Sequence, residues 1–151
     1  NWTIEQLCYF AGIFDGEGHL SIEKQSINGK TRKKDYYTLR IVIANTNLEL
    51  IQWLIQTFNG NFTISKKIEG HKQVYKFVLF GNKIEAVLKA AYPYFIVKKP
   101  IIDIALKFRQ TVGKTGSDVS EETMAYRCQL YFEAKRINKP GDHIHPSPLL
   151  P

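Results

Sequence analysis

The sequence predicts an α+β domain: a four-stranded antiparallel sheet with helices on one face and further helices at the C-terminal end. Two observations support this class. Segments in which apolar and polar residues alternate, as in half-buried strands, lie between segments with the apolar spacing of helices. Turn signals rich in glycine and asparagine separate several of them. The resulting order is helix, strand, strand, helix, strand, strand, helix, followed only by helices.

Composition limits the class of protein. The chain has 151 residues, 44% of them apolar, which suits one domain with its own core. Its net charge of +7 suggests nucleic acid or a membrane surface as partner, although solubility alone would also explain it. Without a signal-peptide pattern or a run of transmembrane length, we expect an intracellular protein that does not enter membranes. Cys8 and Cys128 lie in apolar-periodic segments, so we expect buried free thiols.

The first helix is predicted from Ile4 to about Asp15. Thr3 and Gln6 have the spacing of a capping box, and the segment that follows has almost no polar face, so the helix should be buried. A glycine inside a helix costs about 1 kcal/mol relative to alanine, which a close helix–helix contact at Gly12 would explain. Asp15 and Glu17 then lie at the negative end of the helix dipole. A divalent cation held by carboxylates and free carbonyls would stabilise them there.

Two strands follow in the prediction. Residues 19–25 alternate, and if this strand begins at Glu17, its carboxylate lies at one end of the polar face. Asn28–Gly29 is a hairpin turn signal, residues 30–34 form a basic tip or a plain solvated loop, and a second strand covers about 36–44.

The remaining elements follow the same reasoning. Thr46–Glu49 reads as a capping box that opens a helix to about Phe58. The further segments are strands at about 62–69 and 73–80, helices at about 83–91 and 100–112, and a last helix that starts within 118–121 and runs to about Ile137. We therefore divide the chain into a core at 1–112, a helical extension at 113–137 and an extended tail at 138–151.

The polar sides of the strands carry hydrogen-bonding and basic side chains with few acids. Such a surface suits the reading of base edges in a DNA major groove, which admits a β-ribbon. The alternative is an ordinary solvated sheet face. The candidate DNA-binding residues are Ser21, Glu23, Gln25, Arg32, Lys34, Tyr36, Thr38, Arg40, Thr63, Ser65, Lys67 and Lys76.

Residues 10–18, Phe-Ala-Gly-Ile-Phe-Asp-Gly-Glu-Gly, resemble the LAGLIDADG motif of homing endonucleases. Ala11, Gly12, Asp15 and Gly18 match it letter for letter, and Glu17 stands for its second acid. The predicted element order agrees with this family over roughly residues 3–112. The chain contains one copy of the motif, so it resembles the single-motif, homodimeric type.

The resemblance implies a metal site. Glu17 would be the metal ligand and essential catalytic residue, the carbonyl of Gly16 would bind beside it, and Asp15 would either hold the helix end or join the metal site. Mg²⁺ is the implied ion; Mn²⁺ is expected to substitute, and Ca²⁺ to bind without supporting cleavage. A divalent ion supplies a nucleophilic water and neutralises charge during phosphodiester hydrolysis.

Further roles also come from the resemblance. Lys98 would reach the active site through water, with Lys99 as the alternative. Asn45 would orient solvent near the metal, or would be only a turn residue. The resemblance gives no role to His19, two residues beyond Glu17, which we expect either to contact phosphate or water or to be a polar rim residue. The helices of two chains would pack together through Leu7, Phe10, Ala11, Gly12, Ile13 and Phe14.

The function implied is a site-specific, metal-dependent double-strand DNA endonuclease, intron- or intein-associated. Because one motif provides one essential acid, cutting both strands requires a homodimer and a pseudo-palindromic target. The alternative is a nucleic-acid-binding protein of the same fold, either an intron maturase that binds RNA or a regulator that does not cleave.

Overall fold

The structure is a computed structural model that describes residues 1–25, 36–113 and 119–139. These ranges contain five α-helices, one short 3-10 helix and one antiparallel sheet of four strands. The helices are α1 (Ile4–Glu17), α2 (Leu48–Phe58), α3 (Asn82–Ala91), α4 (Lys99–Gln110) and α5 (Glu121–Asn138), and Tyr92–Tyr94 form the 3-10 turn. The strands are β1 (Gly18–Gln25), β2 (Tyr36–Asn45), β3 (Asn61–Ile64) and β4 (Tyr75–Phe80).

The sheet order is β1-β2-β4-β3, so β1 and β3 form the two edges. One face carries the alternating apolar residues and is covered by helices. Ile22 lies opposite Leu39 across the first ladder, and Ile43 lies opposite Phe77 across the second. These four side chains are buried. This arrangement confirms the predicted α+β class and leaves the other face of the sheet for the polar side chains.

Helix α1 packs against this core through one face only. Phe10 and Phe14 are 0% exposed and stack with ring centroids 5.7 Å apart, and Thr3 forms the predicted capping box with Gln6. The opposite face of the helix is open: Tyr9 is 55% exposed, and Cys8 is also exposed. The prediction that the whole helix is buried is therefore wrong for one chain, although the Tyr9 ring packs edge-on against Trp53 with ring centroids 4.9 Å apart.

Helix α1 also continues two residues further than expected. It ends at Glu17, and β1 begins at Gly18. The carboxylate of Glu17 therefore belongs to the last turn of the helix and not to the strand. The first turn of α2 differs as well, because Asn47 is its N-cap, accepting a 3.0 Å hydrogen bond from the Leu50 N–H, in the place predicted for Thr46.

The second hairpin is shorter than predicted. Strand β3 covers only Asn61–Ile64, and β4 begins at Tyr75. A backbone hydrogen bond from the Ser65 N–H to the Val74 carbonyl extends the pairing by one step, but Lys67 lies in the connecting loop. Lys67 is thus outside the sheet, contrary to its expected position on a strand.

The last helix is tied to the body of the protein. Helix α5 packs against α4 and β1. Arg127 on α5 donates from Nε to Oγ1 of Thr111 at 2.9 Å and from Nη2 to the Thr111 carbonyl at 2.7 Å, and its guanidinium lies over the Phe108 ring. Cys128 is only half-buried, so neither thiol has the burial that its apolar segment predicted.

Several predictions fall outside the described residues. They concern the Asn28–Gly29 turn, the basic tip with Arg32 and Lys34, residues 114–118 of the helical extension and residues 140–151 of the tail. Among the helices that the structure describes, none has the length and apolar character needed to cross a bilayer.

Candidate nuclease site and nucleic-acid interface

Asp15 connects α1 to the segment that precedes α4. Its Oδ2 accepts a 2.7 Å hydrogen bond from the Ile96 N–H, and its Oδ1 accepts a 3.0 Å bond from the Lys98 N–H. Both oxygens of the carboxylate are therefore occupied by backbone donors. This geometry favours the structural role of Asp15 over the role of metal ligand, the other reading drawn from the motif.

Glu17 is exposed at the end of α1 and is oriented by a neighbouring strand. Asn45, the last residue of β2, donates from Nδ2 to Oε2 of Glu17 at 2.7 Å. The Oδ1 of Asn45 accepts a 2.8 Å bond from the Asn47 N–H, which fixes the direction of the amide. Asn45 is therefore both the turn residue before α2 and a side chain that holds Glu17, while its expected role in orienting solvent near a metal stays a prediction.

Lys98 extends towards the same helix end. Its Nζ donates to the Gly18 carbonyl and lies 5.4 Å from the centroid of the Phe14 ring. Burial lowers the pKa of this ammonium group, and the nearby Asp15 carboxylate partly opposes the shift. Lys99 instead lies over the Tyr92 ring at 5.3 Å, so of the two candidate lysines Lys98 is the one whose ammonium group contacts Gly18, the C-cap of α1 that follows Glu17 in sequence.

The last glycine of the motif is required by packing. A Cβ atom added at Gly18 would lie 2.2 Å from Cδ2 of Phe14 and 2.7 Å from the Phe14 carbonyl oxygen. The backbone of Gly18 therefore sits directly against the core where Lys98 binds its carbonyl. At Gly12 and Gly16, by contrast, an added Cβ would meet nothing within 4 Å.

The donor set partly fits a hard divalent ion. Glu17 contributes a carboxylate, and the last carbonyls of an α-helix, including that of exposed Gly16, lack intrahelical donors. Within the described ranges, however, no group of three or more His, Cys, Asp or Glu side chains could hold a metal ion. In the described part of the chain, the donors at this helix end are therefore one exposed carboxylate and carbonyl oxygens.

The burial pattern of α1 corrects the predicted interface. Leu7, Phe10, Ala11 and Phe14 are buried in the chain's own core, so they are not available to a second chain. Gly12 is exposed and Ile13 is half-buried. The face that remains open consists of residues four apart along the helix: Ile4, Cys8, Gly12 and Gly16.

The sheet brings most of the predicted DNA-binding residues to one face. Across β1 and β2, Ser21 lies opposite Arg40, Glu23 opposite Thr38 and Gln25 opposite Tyr36. Across β3 and β4, Thr63 lies opposite Lys76. These eight residues, together with His19, Val42, Ala44, Asn61, Val78 and Phe80, are named here the open face. Ser65 lies just beyond the end of β3.

His19 also belongs to this face, one residue beyond Gly18. Partial burial lowers the pKa of its imidazole, and the positive charges of Lys98 and Arg40 lower it further, while Glu23 opposes them. The lowered pKa favours the neutral imidazole, which can both donate and accept a hydrogen bond.

A basic groove lies beside β1 and was not predicted from the sequence. It has a volume of about 890 Å³ and lies between the open face of β1 and the end of α5. Asn138 anchors that helix end by donating to the Leu20 carbonyl at 2.9 Å. The residues that line the groove include the basic side chains Lys135, Arg136 and Lys139. The sequence contains these charges, but only the packing of α5 places them beside the sheet.

Solved structures share this architecture. One neighbour is the homing endonuclease I-CvuI in complex with its target in the presence of Ca, with a TM-score of 0.74, 13% identity and coverage of 91% of this chain and 85% of that one. Another is the archaeal intron-encoded homing endonuclease I-Vdi141I complexed with DNA, with a TM-score of 0.73, 16% identity and coverage of 91% and 86%. No family model matches the chain, and no curated protein matches it in sequence.

A third neighbour differs in length. The LAGLIDADG homing endonuclease I-GzeII, in complex with its DNA target, has a TM-score of 0.64 and 14% identity, and the match covers 83% of this chain but 43% of that one. The fold and the motif together define the class: this chain has the fold of LAGLIDADG homing endonucleases, as its sequence motif predicted. By contrast, the match with I-CvuI covers 85% of the I-CvuI chain, so these two chains are similar in length.

Proposed function

We propose that this protein is a site-specific, divalent-metal-dependent endonuclease that cuts double-stranded DNA as a homodimer. The observation that carries the proposal is the position of Glu17. It is exposed at the end of α1, fixed by the Asn45 amide and adjacent to the carbonyl that Lys98 binds. These groups lie at the start of β1, where the open face begins.

The residues of the chain divide the work of phosphodiester hydrolysis. Glu17 and the carbonyl of Gly16 would hold Mg²⁺, which when bound supplies an activated water and neutralises developing charge. Asn45 keeps the Glu17 carboxylate oriented. Lys98 places an ammonium group of lowered pKa beside the site, where it can stabilise negative charge or transfer a proton through water. Asp15 positions the backbone that carries Lys98.

The homodimer is inferred from two features: one chain offers a single exposed acid at this site, and the face of α1 that contains Gly12 is exposed. Each chain offers one exposed acid, whereas cutting both strands of a duplex needs two sites. Pairing of two α1 helices through the face with Gly12 would bring both Glu17 side chains to one twofold axis. Two open faces would then follow one duplex, and the target would be pseudo-palindromic.

Affinity for the duplex would come from the positive charges of the groove beside β1. The groove beside β1 carries Lys135, Arg136 and Lys139, and cationic side chains in such positions neutralise phosphates and release counterions. The open face would read base edges in the major groove.

A direct experiment tests the proposal. The protein is incubated with Mg²⁺ and a library of duplexes, and the cleaved ends are sequenced. We expect cleavage of a limited set of pseudo-palindromic sites, loss of cleavage with EDTA, and binding without cleavage by Glu17→Gln. Binding without any cleavage by the wild type would instead support the non-cleaving alternative, and preference for RNA would support a maturase.

A further inference from the structure

A row of three side chains, those of Ser21, Arg40 and Phe80, crosses the open face. Arg40 on β2 lies opposite Ser21 on β1 and opposite Phe80 on β4. Glu23 lies two residues further along β1, on the same face as Ser21. Arg40 therefore has an acid on one side and an aromatic ring on the other.

Both neighbours contact the Arg40 guanidinium. Its Nη1 donates to Oε1 of Glu23 at 3.1 Å, and its central carbon lies 5.9 Å from the centroid of the Phe80 ring. Each side chain of the ion pair is about one third exposed, at 34% for Arg40 and 33% for Glu23. The pair is thus held in place but remains accessible from the open face.

The guanidinium retains donors for a ligand. It carries five N–H groups, and the pair with Glu23 uses one of its nitrogens. Its Nε is buried without an acceptor in the described part of the chain, so the donors that remain for a ligand are the N–H groups of Nη1 and Nη2 that the Glu23 pair does not use. A rigid arginine that keeps free donors loses less entropy when it binds than a mobile one.

The negative charge of Glu23 limits which part of a DNA duplex this side chain can contact. Among the open-face residues defined above, Glu23 is the only acid, in a chain of net charge +7. A carboxylate beside a phosphate would be repelled, so it cannot serve as a backbone contact. A base edge that offers an N–H donor is the part of a duplex that suits it.

We infer that Glu23 and Arg40 together read one G·C base pair in each half of the target, in the major groove. In this groove guanine presents two acceptors, O6 and N7, and cytosine presents the N4 amino donor. Arg40 supplies the donors and Glu23 the acceptor in a matching order. The inference rests on the proposed function and names one base pair that the site selects.

The same pair disfavours A·T. Adenine presents an N6 donor beside its N7 acceptor, which opposes the second donor of Arg40. Thymine presents the O4 acceptor and a methyl group where Glu23 would need a donor. The discrimination therefore comes from repulsion as well as from attraction.

The test uses a binding selection on a randomised duplex library with Ca²⁺ in place of Mg²⁺. We expect the wild type to prefer G·C at one symmetric position in each half-site by roughly 10-fold or more in Kd. Glu23→Gln and Arg40→Lys should each reduce that preference to less than about 3-fold at this position alone. Glu122→Gln, which removes an exposed acid in the first turn of α5, is the matched control and should leave the preference unchanged.

Base analogues separate the two contacts. Replacing the guanine by 7-deazaguanine removes N7 and should weaken wild-type binding, as should replacing the cytosine by 2-pyrimidinone, which lacks the N4 amino group. Inosine keeps O6 and N7, so an inosine·cytosine pair should bind as well as G·C. Circular dichroism and melting curves of each variant verify that it is folded.

Three outcomes would overturn the inference and are distinguishable. Binding without a G·C requirement, or a requirement that survives Glu23→Gln, would contradict the paired reading and leave the endonuclease proposal intact. Unchanged affinity for the duplex that carries 2-pyrimidinone would contradict the Glu23 contact. Absence of binding to any duplex would contradict the proposed function itself.

Discussion

The amide of Asn45 donates a 2.7 Å hydrogen bond to the carboxylate of Glu17, across 28 residues of sequence. The other end of the amide accepts from the Asn47 N–H at 2.8 Å. Since Asn47 is the N-cap of α2, the start of that helix, the end of β2 and the end of α1 meet at one point. The acid of the motif is therefore positioned by the fold and not only by its own helix.

Asn45→Ala should impair catalysis more than binding. Loss of the amide frees the Glu17 carboxylate and leaves the Asn47 N–H without its side-chain acceptor. Removal of a side chain that orients a metal ligand typically costs roughly 10- to 100-fold in metal affinity or activity. The measurement is single-turnover cleavage as a function of Mg²⁺ concentration, with exposed Thr46→Ala as the neighbouring control. Equal rates for both variants would contradict this role.

Lys98→Met should slow cleavage by roughly 10²- to 10⁴-fold, the range lost with a group that assists proton transfer. Duplex affinity should change little, because Lys98 is half-buried beside Gly18 and is not one of the basic residues of the groove beside β1. Lys99→Met is the matched control, since that ammonium lies over the Tyr92 ring. If the control slowed the reaction and Lys98→Met did not, the role would belong to Lys99.

Asp15→Ala should act through Lys98 and through stability together. It removes the acceptor of two backbone N–H groups, and a hydrogen bond to a charged group contributes about 1.5–3 kcal/mol when it is well protected. Partial exposure of Asp15 reduces this, so we expect a loss of about 1–2 kcal/mol in urea unfolding and slower cleavage. Asp103→Ala, which removes the exposed acceptor of the Tyr92 hydroxyl, is the control. Full activity of Asp15→Ala would show that Lys98 does not depend on it.

Gly12→Ala should change stability and assembly in opposite directions. The added Cβ meets nothing within 4 Å in one chain, and alanine favours the helix by about 1 kcal/mol, so the monomer should become more stable. The same methyl group would obstruct close packing of two α1 helices, and dimerisation and cleavage should weaken. Gly12→Leu should weaken them further.

The measurements for Gly12 are sedimentation velocity and denaturation at concentrations where the monomer prevails. Lys107→Leu, at an exposed position of α4, controls for the addition of a bulky apolar side chain. A dimer that tolerates Gly12→Leu would exclude this face of α1 from the interface.

Lys135→Gln should weaken DNA binding uniformly across sequences. If the lysine neutralises one phosphate, the slope of log K against log salt should become less negative by about 0.9. Arg136→Gln should behave alike, since both residues line the groove beside β1. Lys107→Gln, an exposed lysine of α4, is the charge-matched control. A sequence-dependent loss would show that the groove contacts bases.

The sequence alone predicts the fold class of this protein and the face of the sheet on which the strand residues lie. Residues 10–18 identified α1 and its acids, and alternation in β1 and β2 assigned Ser21 and Arg40 to the polar side, as the ladder confirms. These predictions succeeded because a period of two residues and the motif's fixed spacing are local properties, visible without knowledge of what packs where.

The packing of the whole chain is needed to know which apolar residues of α1 are internal. Phe10 and Phe14 were expected at a partner's surface, but they fill the chain's own core, while Cys8 and Gly12 remain open. A helix that is apolar on all sides does not reveal which side meets its own sheet. The Asn45 bond to Glu17 and the basic groove of α5 likewise join residues far apart in sequence. Their proximity depends on how α5 and β2 pack, which local patterns do not encode.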